Sequence, residues 1–200
     1  MGNHSRNALA GFRGRQSGAR SGQRGGFTLI EIMISLSVLV VGLLGFVRVI
    51  AMSASMSSAN RESDFAIEAA RAKIEEVEAA NFRDLFALYN AVGGDDPGGA
   101  GTAPGNSFTV AGLQPDPADP DGIVGEVVLP AMVGLGGNWE VREDFQSTAL
   151  GTPRDLSGDG VIDQADHTAD YGVLPVLVRL RWRGVRGVSR LEFKVLVAPL

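Results

Sequence analysis

The stretch from Phe27 to Val47 constrains this chain more than any other. It is apolar apart from Glu31 and a few Ser and Thr, and no basic residue interrupts it between Arg24 and Arg48. About 20 consecutive apolar residues suffice to cross a bilayer as a helix, so the stretch predicts a spanning helix. It does not end in an Ala-x-Ala site and outruns an ordinary signal-peptide apolar region, which argues against a simple cleaved secretory signal. Ahead of it, residues 1–26 contain Arg6, Arg13, Arg15, Arg20 and Arg24 and no acid. They are Gly/Arg/Ser-rich, lack periodicity, and read as a disordered or targeting leader. Basic residues before a spanning helix place the N-terminus in the cytoplasm and the rest across the membrane.

The remainder is acidic. Removing those five arginines from the 18 basic residues leaves 13 against 23 acids, a charge of about −10. Such a body offers no basic patch, so nucleic acid is not indicated as a partner. The absence of cysteine leaves no disulfide framework.

No breaker follows the apolar run, and helix is predicted to continue to about Tyr89, roughly 95 Å at 1.5 Å per residue. Ile67, Ala70, Ile74 and Val77 recur at three and four, one apolar stripe. Arg71 and Glu75 are predicted to pair at i,i+4 on the wet side. The stripe slips phase near Asn81, resumes at Leu85 and Leu88, and stops at Gly93-Gly94. Residues 93–107 read as loop. Strands are predicted at Phe108–Val110, Ile123–Leu129 and Trp139–Val141. The clearest signal comes last. Val176, Val178, Leu180 and Trp182 alternate with Leu177, Arg179, Arg181 and Arg183, and residues 190–197 alternate likewise. Folding the two about Val185-Arg186 sets Leu180 against Leu191, Val178 against Phe193 and Arg179 against Glu192, a single register that suits both faces. A long helix followed by a small antiparallel sheet is an α+β order.

A carboxylate in an apolar helix costs about 2.5–3.5 kcal/mol at mid-membrane on insertion scales. Glu31 either snorkels at the cytoplasmic end or meets a positive charge from another chain. Cleavage between Gly26 and Phe27 would create such a charge, an α-amine near the depth of a neighbour's Glu31. Here Gly26-Phe27-Thr28-Leu29-Ile30-Glu31 resembles the class III signal of type IV pilins and of the pseudopilins of type II secretion. The resemblance implies that a prepilin peptidase cuts after Gly26 and methylates Phe27. It also implies that the Phe27 amine of one subunit pairs with Glu31 of its neighbour during assembly. The segment "SVLVVGLLGF" (37–46) resembles the PilV-type minor pilins, which often carry Gly-Leu-Leu-Gly here. The similarity covers residues 24 to about 60, and the leader is longer than most. It implies a pilin-like α+β fold: a cleaved leader (1–26), a transmembrane and assembly helix (27–56), an amphipathic helix (57–92) and a sheet region (93–200). The expected function is that of a PilV-like minor pilin, inserted in the inner membrane and then built into, or priming, a type IV pilus at the cell surface. Its partners would be other pilins, the prepilin peptidase and the inner-membrane assembly platform. The alternatives are a minor pseudopilin and a single-pass anchored binding domain that never polymerises.

A second motif is "DLSGDGVIDQAD" (155–166). Asp155, Ser157, Asp159, Asp163 and Asp166 fall at positions 1, 3, 5, 9 and 12 of a calcium loop. Gly160 holds the sharp-turn position, Val161 offers its carbonyl at position 7, and Ile162 packs the loop. Asp at the last position resembles the dockerin-type variant of the EF-hand, which implies one Ca²⁺. An Asp/Gly surface turn is the plain alternative. Asp95-Asp96 and Asp116–Asp121 lack ligand spacing and read as solvated loops. His167 beside Asp166 reads as a surface residue. No nucleophile–His–acid set is legible, and "GGAGTAPG" (98–105) lacks the Lys of a phosphate loop. Enzyme activity is not expected.

Overall fold

The computed structural model describes residues 25–199; the expected leader lies almost wholly outside them, apart from Gly25 and Gly26. Residues up to Val47 and residues from Arg48 onward form two compact units, and α1, Leu29–Ala79, contributes to both. In the first unit, α1 is long and apolar enough to cross a membrane. Its large apolar side chains are exposed all round, Leu36, Leu39 and Leu43 among them, which is the surface a lipid-facing helix presents.

The second unit is the α+β arrangement expected from the sequence. Its four-stranded antiparallel sheet has the order β1-β2-β5-β6, formed by Ser107–Phe108, Gly125–Val128, Leu174–Gly184 and Gly187–Val197. The long hairpin has the predicted register, with Leu180 opposite Leu191, Val178 opposite Phe193 and Arg179 opposite Glu192. Arg179 donates to both Glu192 and Glu126, so the charged face of the sheet is tied across three strands. The apolar face carries Val178, Leu180 and Trp182, packed in one cluster with Ala66 and Ala70 of α1. Small residues let the helix backbone come close to the sheet. A second cluster joins Val77 to Leu85, Phe86, Tyr89, Leu156, Leu174 and Val176.

Three expectations are corrected. The helix stops at Ala79 rather than near Tyr89. Asn81 turns extended and its side chain accepts from the N–H of Arg83, starting a 3₁₀ turn (Phe82–Asp84) and a short helix, α2, Leu85–Tyr89. The break redirects Leu85, Phe86 and Tyr89 into the core. A strand not anticipated, β3 (Ala131–Val133), pairs with β4 (Trp139–Val141) in a separate two-stranded sheet. On the helix, the ion pair is Lys73 with Glu76 at 2.7 Å, not Arg71 with Glu75.

Candidate functional site

The N-terminal site is built from chain geometry. Gly25 to Thr28 lie outside the helix, and α1 begins at Leu29. Thr28 caps it: its backbone oxygen accepts from the N–H groups of Glu31 (3.1 Å) and Ile32 (3.2 Å), and its hydroxyl from that of Glu31 (3.3 Å). The Gly26–Phe27 bond therefore sits in irregular backbone just ahead of a capped helix. Phe27 is exposed, and a side chain at Gly26 would meet nothing within 4 Å. Uncovered backbone outside regular structure is where proteolytic cleavage concentrates. Glu31 stands in the first turn of α1, where a carboxylate is favoured by the helix dipole.

The acidic loop is laid out differently from expectation. Asp155 accepts from the N–H groups of Gly158 and Gly160 and from the Ser157 hydroxyl, which hold its carboxyl below the usual range. Gly160 adopts φ +86° there, the left-handed turn that glycine permits. Asp159 accepts from the Val161 N–H, Asp163 from that of Ala165, and Asp166 from the N–H and hydroxyl of Thr168. Ile162 is about half exposed and does not pack the loop. Among the described residues, the group of three metal-competent side chains with ligand atoms within 4.8 Å of one another is Glu143, Asp163 and His167. Of the expected ligands only Asp163 belongs to it.

Two of those residues were missed from sequence. His167 is buried, not a surface residue. Its Nδ1 lies 3.1 Å from Asp170 and its Nε2 3.1 Å from Asp163 and 3.7 Å from Glu143. Burial pulls its pKa down, but Asp163, Asp170 and Glu143 more than offset that and raise it. Glu143 is fully buried, yet the sequence shows it inside Arg142-Glu143-Asp144, which looks like a solvated charge run. One of its oxygens accepts from the N–H groups of Leu156 (2.7 Å) and Ser157 (2.9 Å), and the other from Asp163 (3.3 Å). Burial pushes this carboxyl up, and those N–H groups with His167 bring it below the usual range. A third surprise is Asp116, expected in a solvated loop. It is buried and ion-paired to Arg181 at 2.5 Å.

Residues 22–47 match the family model for the prokaryotic N-terminal methylation motif. No curated protein and no solved structure matches the chain. Motif, exposed bond and apolar helix coincide on the same residues, so the chain carries an N-terminal signal of the type IV pilin-like prepilin kind, followed by a helix long and apolar enough to cross a membrane.

Proposed function

We propose that this protein is a PilV-like minor pilin, cut after Gly26, methylated on Phe27, and incorporated into or priming a type IV pilus. The methylation motif over residues 22–47 carries the reading; the Gly-Leu-Leu-Gly segment favours the PilV-like branch. Before assembly the chain spans the inner membrane once with its N-terminus in the cytoplasm, as the basic leader directs. The prepilin peptidase, the assembly platform and other pilins are its partners. In the filament, the Phe27 amine of one subunit meets Glu31 of another. The pairing offsets the cost of holding a carboxylate in an apolar bundle. We further propose that residues 155–166 take Ca²⁺. The donor set is all oxygen, as a hard cation requires, and Gly158 and Gly160 already curl the loop about Asp155. The ion would draw Asp159, Asp163 and Asp166 together.

Intact-mass analysis of the membrane fraction tests the processing step. A mature form lacking residues 1–26 and one methyl group heavier is expected. A protein still beginning at Met1 in a host with an active prepilin peptidase sinks the reading. Glu31→Gln should leave cleavage and insertion intact but deplete the sheared pilus fraction relative to the membrane fraction. Equal distribution would reduce Glu31 to a snorkelling residue.

A further inference from the structure

We propose that Glu143, Asp163 and His167 form a site for one zinc-class divalent cation, distinct from the all-oxygen calcium loop and competing with it for Asp163. All three lie in the long segment between β4 and β5, Glu143 at its start and Asp163 and His167 in its later half. Asp170 accepts from the Nδ1 side of His167 at 3.1 Å. That contact orients the ring so that Nε2 faces Asp163 and Glu143. Nε2 and Asp163 stand 3.1 Å apart, within reach of a shared proton, and that proton is what a metal ion would displace, because ligation needs the deprotonated nitrogen. A carboxylate holding the distal nitrogen is also how metal-ligating histidines are usually oriented.

The spacing suits zinc. Bonds of 2.0–2.2 Å place two ligands of a tetrahedron about 3.3–3.5 Å apart, and Nε2 lies 3.1 Å from Asp163, close to that edge. Glu143 has room for a bond. A carboxylate offers about four lone-pair sites; backbone N–H groups take two on Oε1 and one on Oε2, so Oε2 is the oxygen left to bind an ion. Glu143 and His167 are both more than nine-tenths buried, while Asp163 is 44% exposed. The cluster is thus buried at Glu143 and His167 and reaches solvent at Asp163. One nitrogen and two carboxylate oxygens suit zinc and its neighbours in the transition series better than calcium or magnesium, which prefer oxygen alone.

The test is titration calorimetry of the full chain in detergent, produced without a polyhistidine tag, stripped with chelator and titrated with zinc chloride. One equivalent should bind, and X-ray absorption should give a mixed nitrogen/oxygen shell with a single imidazole. His167→Gln should abolish that event while leaving calcium binding unchanged. Asp159→Ala should do the reverse. Asp170→Asn changes a residue that is 64% exposed, so the fold should persist; it should weaken zinc by about 10–100-fold, as loss of an orienting partner does. No stoichiometric zinc uptake by folded wild type overturns the proposal. So does uptake that Asp170→Asn or His167→Gln leaves undiminished, which would show zinc on other surface groups.

Discussion

Glu143→Ala is the most informative perturbation of the globular unit, because one buried carboxylate there satisfies three backbone N–H groups from a loop that has no ladder of its own. The contacts to Leu156 and Ser157 are short, at 2.7 and 2.9 Å. Hydrogen bonds to a charged acceptor contribute about 1.5–3 kcal/mol each. The Asp163 contact, at 3.3 Å, adds less. Removing one member of a buried charge network typically costs about 3–5 kcal/mol, in line with two strong bonds. At 2–4 °C per kcal/mol for a unit of 150 or more residues, the melting temperature should fall by about 6–20 °C. Glu143→Gln keeps an oxygen for Leu156 and Ser157 but turns an NH₂ toward the Asp163 N–H, so it should lose about 1–2 kcal/mol. Trp182 is 3% exposed in the core, and its emission reports unfolding of this unit in the full chain in detergent. Chelator in the buffer keeps metal out of the comparison. If Glu143→Ala melts within about 2 °C of wild type, water satisfies the three N–H groups and the carboxylate is not the hub described. Equal losses for Ala and Gln would show that charge, not the oxygen acceptor, is what matters.

Two further outcomes follow from the acidic groups. Wild type should melt higher in calcium than in chelator, by an amount set by RT ln(1 + [L]/Kd), about 2.7 kcal/mol at 100 Kd; the Asp155→Ala, Asp159→Ala double variant should not respond, and magnesium should substitute poorly. Equal melting of wild type in both buffers leaves residues 155–166 as an acidic turn. Glu126 behaves in the opposite sense from the loop acids. Burial raises its pKa, and Arg179 only partly counters this. A carboxyl that binds its proton more tightly when folded favours folding below its ordinary pKa, and that contribution is lost as pH rises through the raised folded value. Glu126→Gln removes the loss, so its melting temperature relative to wild type should climb as the pH rises above the ordinary glutamate pKa. A difference that stays flat, or shrinks with pH, contradicts burial as the dominant cause.

What the sequence discloses follows from how local each signal is. The β5–β6 register is legible because alternation on both strands must agree at once, and a one-residue slip would turn Val178, Leu180 and Trp182 to water. The anchor is legible because an apolar run needs no partner to be read. The end of α1 is not. Leu85 and Leu88 extend the stripe past Asn81, so periodicity argues for more helix, while the cap at Asn81 and the burial of Phe86 and Tyr89 decide against it. Tyr171 holds that break in place. Its hydroxyl donates to the Phe82 oxygen at 2.8 Å and its ring meets Phe82 edge-on at 5.0 Å, a contact 89 residues distant in sequence.

The Glu143 cluster shows the same limit more sharply. Spacing within residues 155–166 suggests an ion held by one contiguous loop, because only local ligands can be counted along a sequence. The fold instead brings a carboxylate from beyond β4 into contact with the backbone of that loop and sets a histidine between them. Nothing about Arg142-Glu143-Asp144 marks the middle residue for burial: Arg142 pairs outward with Asp144 and Glu140, and only Glu143 turns inward. A buried carboxylate is tolerable only where donors converge on it. The loop supplies them because its glycines and Asx turns leave N–H groups with no strand to join. The segment from Asp155 to Tyr171 is therefore shaped by Glu143 as much as by its own aspartates. Any ion that enters must accommodate that carboxylate, which is why the calcium and zinc readings are separable by variants at Asp159 and His167.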